Sequence, residues 1–253
     1  MATLKTTEEI EVMAVGGAIL AGVLRRLESE TKPGVATIEL DRLARTLILD
    51  AGAKPAFLHY RPAGARKAYP YTLCASVNDV VVHGTPSAYT IREGDLVKLD
   101  LGLKYQGLYL DAAITVPVGD VGVQAKKLIH VTEDALAAAV KIAKSGHTLG
   151  DIGCAVQMIV EKNKFSVVEG LTGHGIGTAL HEDPTVFNVG RKGQGEDLEV
   201  GMVLAIEPMV AVGHGAIRQL PDESYGTADG SLSAHFEHTV AITPYGPRIL
   251  TKI

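Results

Sequence analysis

Cysteine is scarce in these 253 residues, with Cys74 and Cys154 the only two. Two thiols alone make neither a disulfide framework nor a thiolate metal site, and the pattern fits a reducing cytoplasm. Lysine and arginine form no cluster. The 24 basic residues face 29 acidic ones for a net charge of −5, so neither sequence-specific nucleic acid nor an anionic membrane is an implied partner. No apolar run reaches the roughly 20 residues that span a bilayer. Met1–Lys5 leads straight into a polar helix start, without the pattern of a signal peptide. What remains, 46% hydrophobic and 21% charged, suffices for a sizeable core in one large α/β or α+β unit.

Helical signals open the chain. Thr6 and Glu9 have capping-box spacing ahead of a helix reaching about Glu30, striped by Ile10, Met13, Ala14, Ile19 and Leu20 and stopped by Lys32-Pro33-Gly34. A second helix, about Thr37 to Ala51, puts Leu40, Leu43, Leu47 and Ile48 on one face. Ala53 to Tyr71 reads as a surface loop and Thr72 to His83 as one strand. The helical order then returns: about Gln124 to Lys144, a break at Ser145-Gly146, and a helix from Leu149 to Lys162. A shift of 112 residues lays Leu40 on Ile152, Ala44 on Val156, Leu47 on Ile159 and Ile48 on Val160. That reads as an internal duplication feeding one antiparallel sheet, although two unrelated helical hairpins would give the same periodicity. Met202 to Pro208 and Ala234 to Ile242 alternate as strands, and Pro221 to Ser231 reads as a polar loop.

Between the two halves, Val97, Leu99 and Leu101 alternate with Lys98, Asp100 and Gly102, and a second alternating run begins at Leu108. A hairpin turn centred near Tyr105–Gln106 would set Asp100 directly opposite Asp111, with Cβ atoms about 4.5–5.5 Å apart. Carboxylates held that close need a shared proton or a cation between them. The alternative is two exposed aspartates on a solvated hairpin. Downstream, His174 sits in Gly173-His174-Gly175-Ile176-Gly177, while Glu207 and Glu237 read as mid-strand residues among buried neighbours. A buried glutamate is costly without a partner. Two aspartates, two glutamates and one histidine, without thiolates, suit two divalent cations better than a structural zinc ion.

Taken in order, the two aspartates ten residues apart, His174 in Gly-His-Gly-Ile-Gly, Glu207 in Ile-Glu-Pro and Glu237 in Phe-Glu-His resemble the metal site of the methionine aminopeptidases. The detail is that of the short, bacterial-type (type I) form and extends over nearly the whole chain. The segment from Cys74 to Pro86 resembles that family's block carrying a substrate-facing histidine, here His83, and Ser231 to Thr239 resembles its C-terminal block.

The resemblance implies an α+β pita-bread fold, internally duplicated, with an antiparallel sheet covered by helices, and a single catalytic domain over residues 1–253. It implies Asp111, His174, Glu207 and Glu237 around one metal and Asp100, Asp111 and Glu237 around the other. Glu207, His83 and His181 would be the catalytic groups, the two histidines contacting substrate without binding metal. Cys74, Tyr60 and Tyr225 match the substrate pocket. The chain has no tryptophan, Leu180 stands where an aromatic is common, and the loop Arg61 to Tyr71 is longer than usual. Asn78, Val80 and Ser233 fall where related enzymes hold a structural monovalent cation.

The implied activity is removal of the initiator methionine from nascent polypeptides whose second residue is small, using two ions of Co, Mn, Fe or Zn. The implied setting is a cytoplasmic monomer meeting new N-termini at the ribosome. Two rivals stand beside it. An Xaa-Pro dipeptidase or aminopeptidase P would share fold and ligands but usually carries an extra N-terminal domain. A non-catalytic binding protein on the same fold would have lost ligands, and all five are present. His59, His130, His147 and His214 read as surface or loop residues and Cys154 as core. His235 and His238, flanking Glu237, read either as supports of the site or as residues of the opposite strand face.

Overall fold

The structure is a computed structural model that describes residues 2–61 and 66–252. Residues 62–65, within the loop expected to be longer than usual, lie outside the described residues.

The helices form where their caps and stripes predict. Thr6 opens α1 (Thr7–Glu30) in a reciprocal box: its hydroxyl accepts from the Glu9 N–H at 3.2 Å, and the Glu9 carboxylate accepts from the Thr6 N–H at 2.8 Å. The others are α2 (Thr37–Asp50), α3 (Val123–Ile142) and α4 (Leu149–Lys162). The 112-residue shift carries both ends of α2 onto both ends of α4, and the end of α1 onto the end of α3. It also carries burial: Leu40, Ala44 and Ile48 and their counterparts Ile152, Val156 and Val160 are at most 1% exposed. Leu47 and Ile159 are both half-buried. Position-by-position agreement of this kind favours duplication over two unrelated hairpins.

In chain order the strands are β1 (Lys54–Pro55), β2 (Leu73–Val77), β3 (Val80–Val82), β4 (Leu96–Tyr105) and β5 (Leu108–Pro117). After α4 come β6 (Ser166–Val167), β7 (Gly173–Gly175), β8 (Glu182–Val186), β9 (Val203–Ile206) and β10 (Met209–Ala211). The last are β11 (Ile217–Gln219), β12 (Tyr225–Thr227), β13 (Ser233–His235), β14 (Glu237–Thr243) and β15 (Gly246–Ile249). Nine of these make one sheet in the order β1-β4-β5-β14-β9-β7-β8, with β2 also on β4 and β15 on β14. Two three-stranded sheets, β13-β10-β6 and β11-β12-β3, adjoin it, and every described pairing is antiparallel. The odd-numbered residues of β4 join α1, α2 and α3 in one apolar cluster. At Gly17 a Cβ would meet the Leu250 carbonyl at 2.0 Å, so only glycine lets α1 lie this close to the C-terminal segment.

Four expectations are corrected. Tyr105 pairs with Leu108, so the turn is Gln106–Gly107, with φ of 46° and 95°, one residue later than expected. A two-residue turn with positive φ at both positions matches the twist of the flanking strands, and Gly107 allows it. Asp100 therefore opposes Ala113, and Asp111 opposes Gly102; the aspartates are diagonal neighbours rather than a direct pair. The expected strand Thr72 to His83 breaks at Asn78, whose φ is 54°, and its halves join different sheets. The two C-terminal strands also break, at Glu207-Pro208 and at Phe236. Short strands β1 and β12 lie within segments expected to be loops.

Candidate metal centre

Both candidate glutamates owe their placement to those breaks. They are not mid-strand: Glu207 stands between β9 and β10, and Glu237 is the first residue of β14. The paired ribbons β9–β10 and β14–β13 run antiparallel, so the bends coincide, and the Phe236 N–H donates to the Pro208 carbonyl at 3.4 Å. Pro208 has no N–H for a ladder, so the strand leaves one sheet for the other beside the carboxylate. His174 comes from β7, between β9 and β8. A Cβ on Gly173 would meet the Ala205 carbonyl at 2.3 Å, and one on Gly175 the Asp183 carbonyl at 2.2 Å. These glycines let neighbouring strands close in around His174.

The five residues converge. Ligand atoms of Asp111, His174 and Glu237 lie within 4.8 Å of one another, as do those of Glu207, His235 and Glu237. His174 Nε2 is 3.6 Å from Glu207 Oε1, and Asp100 lines the same cleft as both. Exposure is 9% for Asp100, 4% for Asp111 and 2% for Glu237, which rules out the solvated hairpin. Burial pushes Asp100 and Glu207 up to about 7. Burial, then the neighbouring carboxylates, pushes Asp111 and Glu237 well above the usual carboxylate range. Asp111 Oδ1 and Glu237 Oε1 are buried without any hydrogen-bond partner. Four crowded carboxyls with unsatisfied oxygens and one imidazole are a donor set that fits divalent Mn, Fe, Co or Zn. His174 is prepared for such a role: its Nδ1–H donates to the Gly175 carbonyl at 2.8 Å, which leaves the Nε2 lone pair facing Glu207.

Above this floor opens a cleft of about 650 Å³, lined among others by His83, Asp100, His174, His181, Glu207 and Met209. A hollow of similar size beside Asp197 and Glu199 holds none of the candidate residues. His181 packs edge-on against His174, with ring centroids 4.3 Å apart, and its free edge opens to the cleft. Its Nδ1 meets the Tyr60 hydroxyl at 2.7 Å. Burial raises the Tyr60 pKa, and burial followed by His83 lowers that of His181 to about 4, so a protonated phenol faces a neutral ring; when the phenol donates to Nδ1, Nε2–H is left for the cleft. His83 holds a positive φ of 60°, and its ring lies 6.0 Å from Tyr225. Cys74 is buried beside Asp100, its register partner, and burial pushes its thiol up.

The remaining positions divide cleanly. His235, 1% exposed, reaches Glu207 Oε2 at 3.3 Å, whereas His238 points away to the Thr251 hydroxyl at 3.2 Å. Leu180 is buried at 2%, His59, His130 and His214 are exposed, and Cys154 is half-buried rather than core. Sequence reasoning missed Lys98, a fully buried lysine whose Nζ donates to the Asn78 carbonyl at 2.7 Å. Its signal was available: Lys98 shares the alternating face of Asp100.

Known proteins match this arrangement over its whole length. The model of metallopeptidase family M24 matches residues 11–244. A methionine aminopeptidase of Clostridium perfringens is 45% identical, with 100% of both chains covered. The crystal structure of methionine aminopeptidase from Thermotoga maritima superimposes with a TM-score of 0.95 at 42% identity, again with 100% of both chains covered. A prolidase from Pyrococcus furiosus superimposes at 0.79 and 25% identity, covering 99% of this chain but 65% of that one. These likenesses extend over the duplicated helices and the antiparallel sheet alike, and the chain belongs to metallopeptidase family M24.

Proposed function

We propose that the protein is a methionine aminopeptidase, removing the initiator methionine from new polypeptides whose second residue is small, with residues 1–253 as one catalytic unit. The observation that carries this reading is the floor of four buried carboxyls and His174, overlooked by two neutral histidines in one cleft. Asp111, His174, Glu207 and Glu237 would hold one divalent ion, and Asp100, Asp111 and Glu237 the other. Such a pair supplies charge to neutralise the carboxylates and to activate water for attack on the peptide carbonyl. Glu207 takes the water's proton and passes it to the leaving amine. His181 donates from Nε2 to the carbonyl oxygen as negative charge develops, a contact that strengthens in the transition state. His83 would contact the substrate from the wall of the cleft, its ring 6.0 Å from that of Tyr225, and Tyr60 and Cys74 would complete the methionine pocket.

Likeness to methionine aminopeptidases at more than 40% identity supports this reading over the Xaa-Pro one, whose prolidase relative is 25% identical. A cytoplasmic monomer acting on nascent chains at the ribosome is the setting that goes with this activity; no helix among the described residues is long and apolar enough to cross a membrane. The test is amino-acid release from Met-Ala-Ser and from Ala-Pro peptides with added Mn²⁺, Co²⁺ or Fe²⁺. Methionine release from the first alone is expected; cleavage of Ala-Pro alone would overturn the reading. Met-Gly peptides should be processed and Met-Arg peptides not, and equal rates would remove the small-residue rule.

A further inference from the structure

Lys98 is 1% exposed, the largest of the fully buried side chains, and the catalytic scheme gives it no part. It stands on β4 two residues before Asp100, on the same face, opposite Ser76 on β2 and Thr115 on β5. Its ammonium extends beneath the bend between β2 and β3 and donates to the Asn78 carbonyl at 2.7 Å. The same oxygen accepts from the Ser233 N–H at 3.1 Å and the Ser233 hydroxyl at 3.1 Å, and that hydroxyl also reaches the Val80 carbonyl at 3.3 Å. Burial pulls the Lys98 pKa down to about 7, and the carboxylates of Asp79 and Asp95 act against that pull, favouring the ammonium.

Asn78, Val80 and Ser233 are the residues expected to hold a monovalent cation, and the structure does not fit one there. A carbonyl oxygen offers two lone pairs, and Asn78 already meets three donors. A second positive charge on the same oxygen would sit beside a buried ammonium, where repulsion is weakly screened. We propose that the Lys98 ammonium is this chain's own tethered cation, taking the place of a potassium or sodium ion at the Asn78–Ser233 crossing. An ammonium and a potassium ion are alike in charge and in their demand for carbonyl oxygens, so one can do the other's structural work. Here that work is to pin three segments together: β4 with Asp100, the bend leading through β3 to His83, and β13 leading to Glu237. Lys98 is thus a positioning residue.

The test reads thermal unfolding of the manganese-loaded protein in potassium, sodium or choline chloride at equal ionic strength, a readout independent of which peptide is cleaved. Wild type should melt at the same temperature in all three salts. Lys98→Ala, which opens the ammonium's space, should melt about 5–10 °C lower in choline and regain about half of that in potassium or sodium, saturably. Saturable stabilisation of wild type by potassium over choline would overturn the proposal, as would a Lys98→Ala protein that melts alike in potassium and choline. Should Lys98→Ala fail to fold, the wild-type comparison still decides, together with a thallium(I) soak of wild-type crystals. No anomalous peak at Asn78 is expected, and a peak there would overturn the proposal.

Discussion

His181 can donate from Nε2 to a substrate oxygen only in a form that carries the proton there, and the Tyr60 hydroxyl, 2.7 Å from Nδ1, favours that tautomer when it donates. Two substitutions separate these roles. His181→Ala removes the donor while leaving the carboxylate floor intact, so it should keep both metals and lose about 10²–10³ in kcat. Tyr60→Phe removes only the group that fixes the tautomer. It should keep both metals and lose about 5- to 10-fold in kcat, the scale of one hydrogen bond near 1 kcal/mol. Elemental analysis beside kinetics on Met-Ala-Ser checks both, and loss of a metal equivalent in either variant would assign these residues to the wrong group. Glu207→Ala, by contrast, should lose metal and activity together, because that carboxylate lies 3.6 Å from His174 Nε2 and within 4.8 Å of a Glu237 oxygen.

At the scale of elements, the strand β7 is held in place by glycine. Gly175→Ala would drive a Cβ to 2.2 Å from the Asp183 carbonyl and displace His174 from the floor. A loss of about 1–3 kcal/mol in stability is expected from such overpacking, together with weakened metal binding; urea unfolding and manganese titration measure the two. This is also where the sequence was read best and worst. Helices were legible because caps and 3.6-residue stripes are local, and the 112-residue repeat followed from them. The five converging residues were legible because charge in a buried strand pattern demands a partner. The pairing of Asp100 with Asp111 was misjudged because a one-residue change in the turn moves the partner by two positions, and only Gly107 hinted at it. The bends at Glu207 and Phe236 were hidden because each strand keeps its alternation while changing sheets. Lys98 was passed over because its partner is a backbone carbonyl 20 residues away, which side-chain patterns do not reveal.

For the molecule as a whole, the crowded floor ties stability to pH and to metal. Asp100 and Glu207 at about 7, with Asp111 and Glu237 well above the usual range, hold protons in the folded state that the unfolded chain releases near 4. Their contribution is therefore present at low pH and lost as pH rises. His83, His174, His181, His235 and His238, lowered by burial from 6.5, act in the opposite sense, but only below that value. Although Lys98, pulled down to about 7 by burial, offsets part of the change above that value, metal-free protein should lose melting temperature from about pH 6.5 to pH 8, and saturating Mn²⁺ should abolish that loss while releasing protons. A metal-free protein equally stable at both pH values would contradict this account of the floor. The central claim, that five residues from distant parts of the chain form one site for two divalent ions, is tested most directly by calorimetric titration of Mn²⁺ into metal-free protein. Two equivalents per chain are predicted for wild type, with fewer for Asp111→Asn, whose carboxylate is assigned to both ions. A wild type that binds none, or an Asp111→Asn protein that still binds two with unchanged affinity, would contradict it.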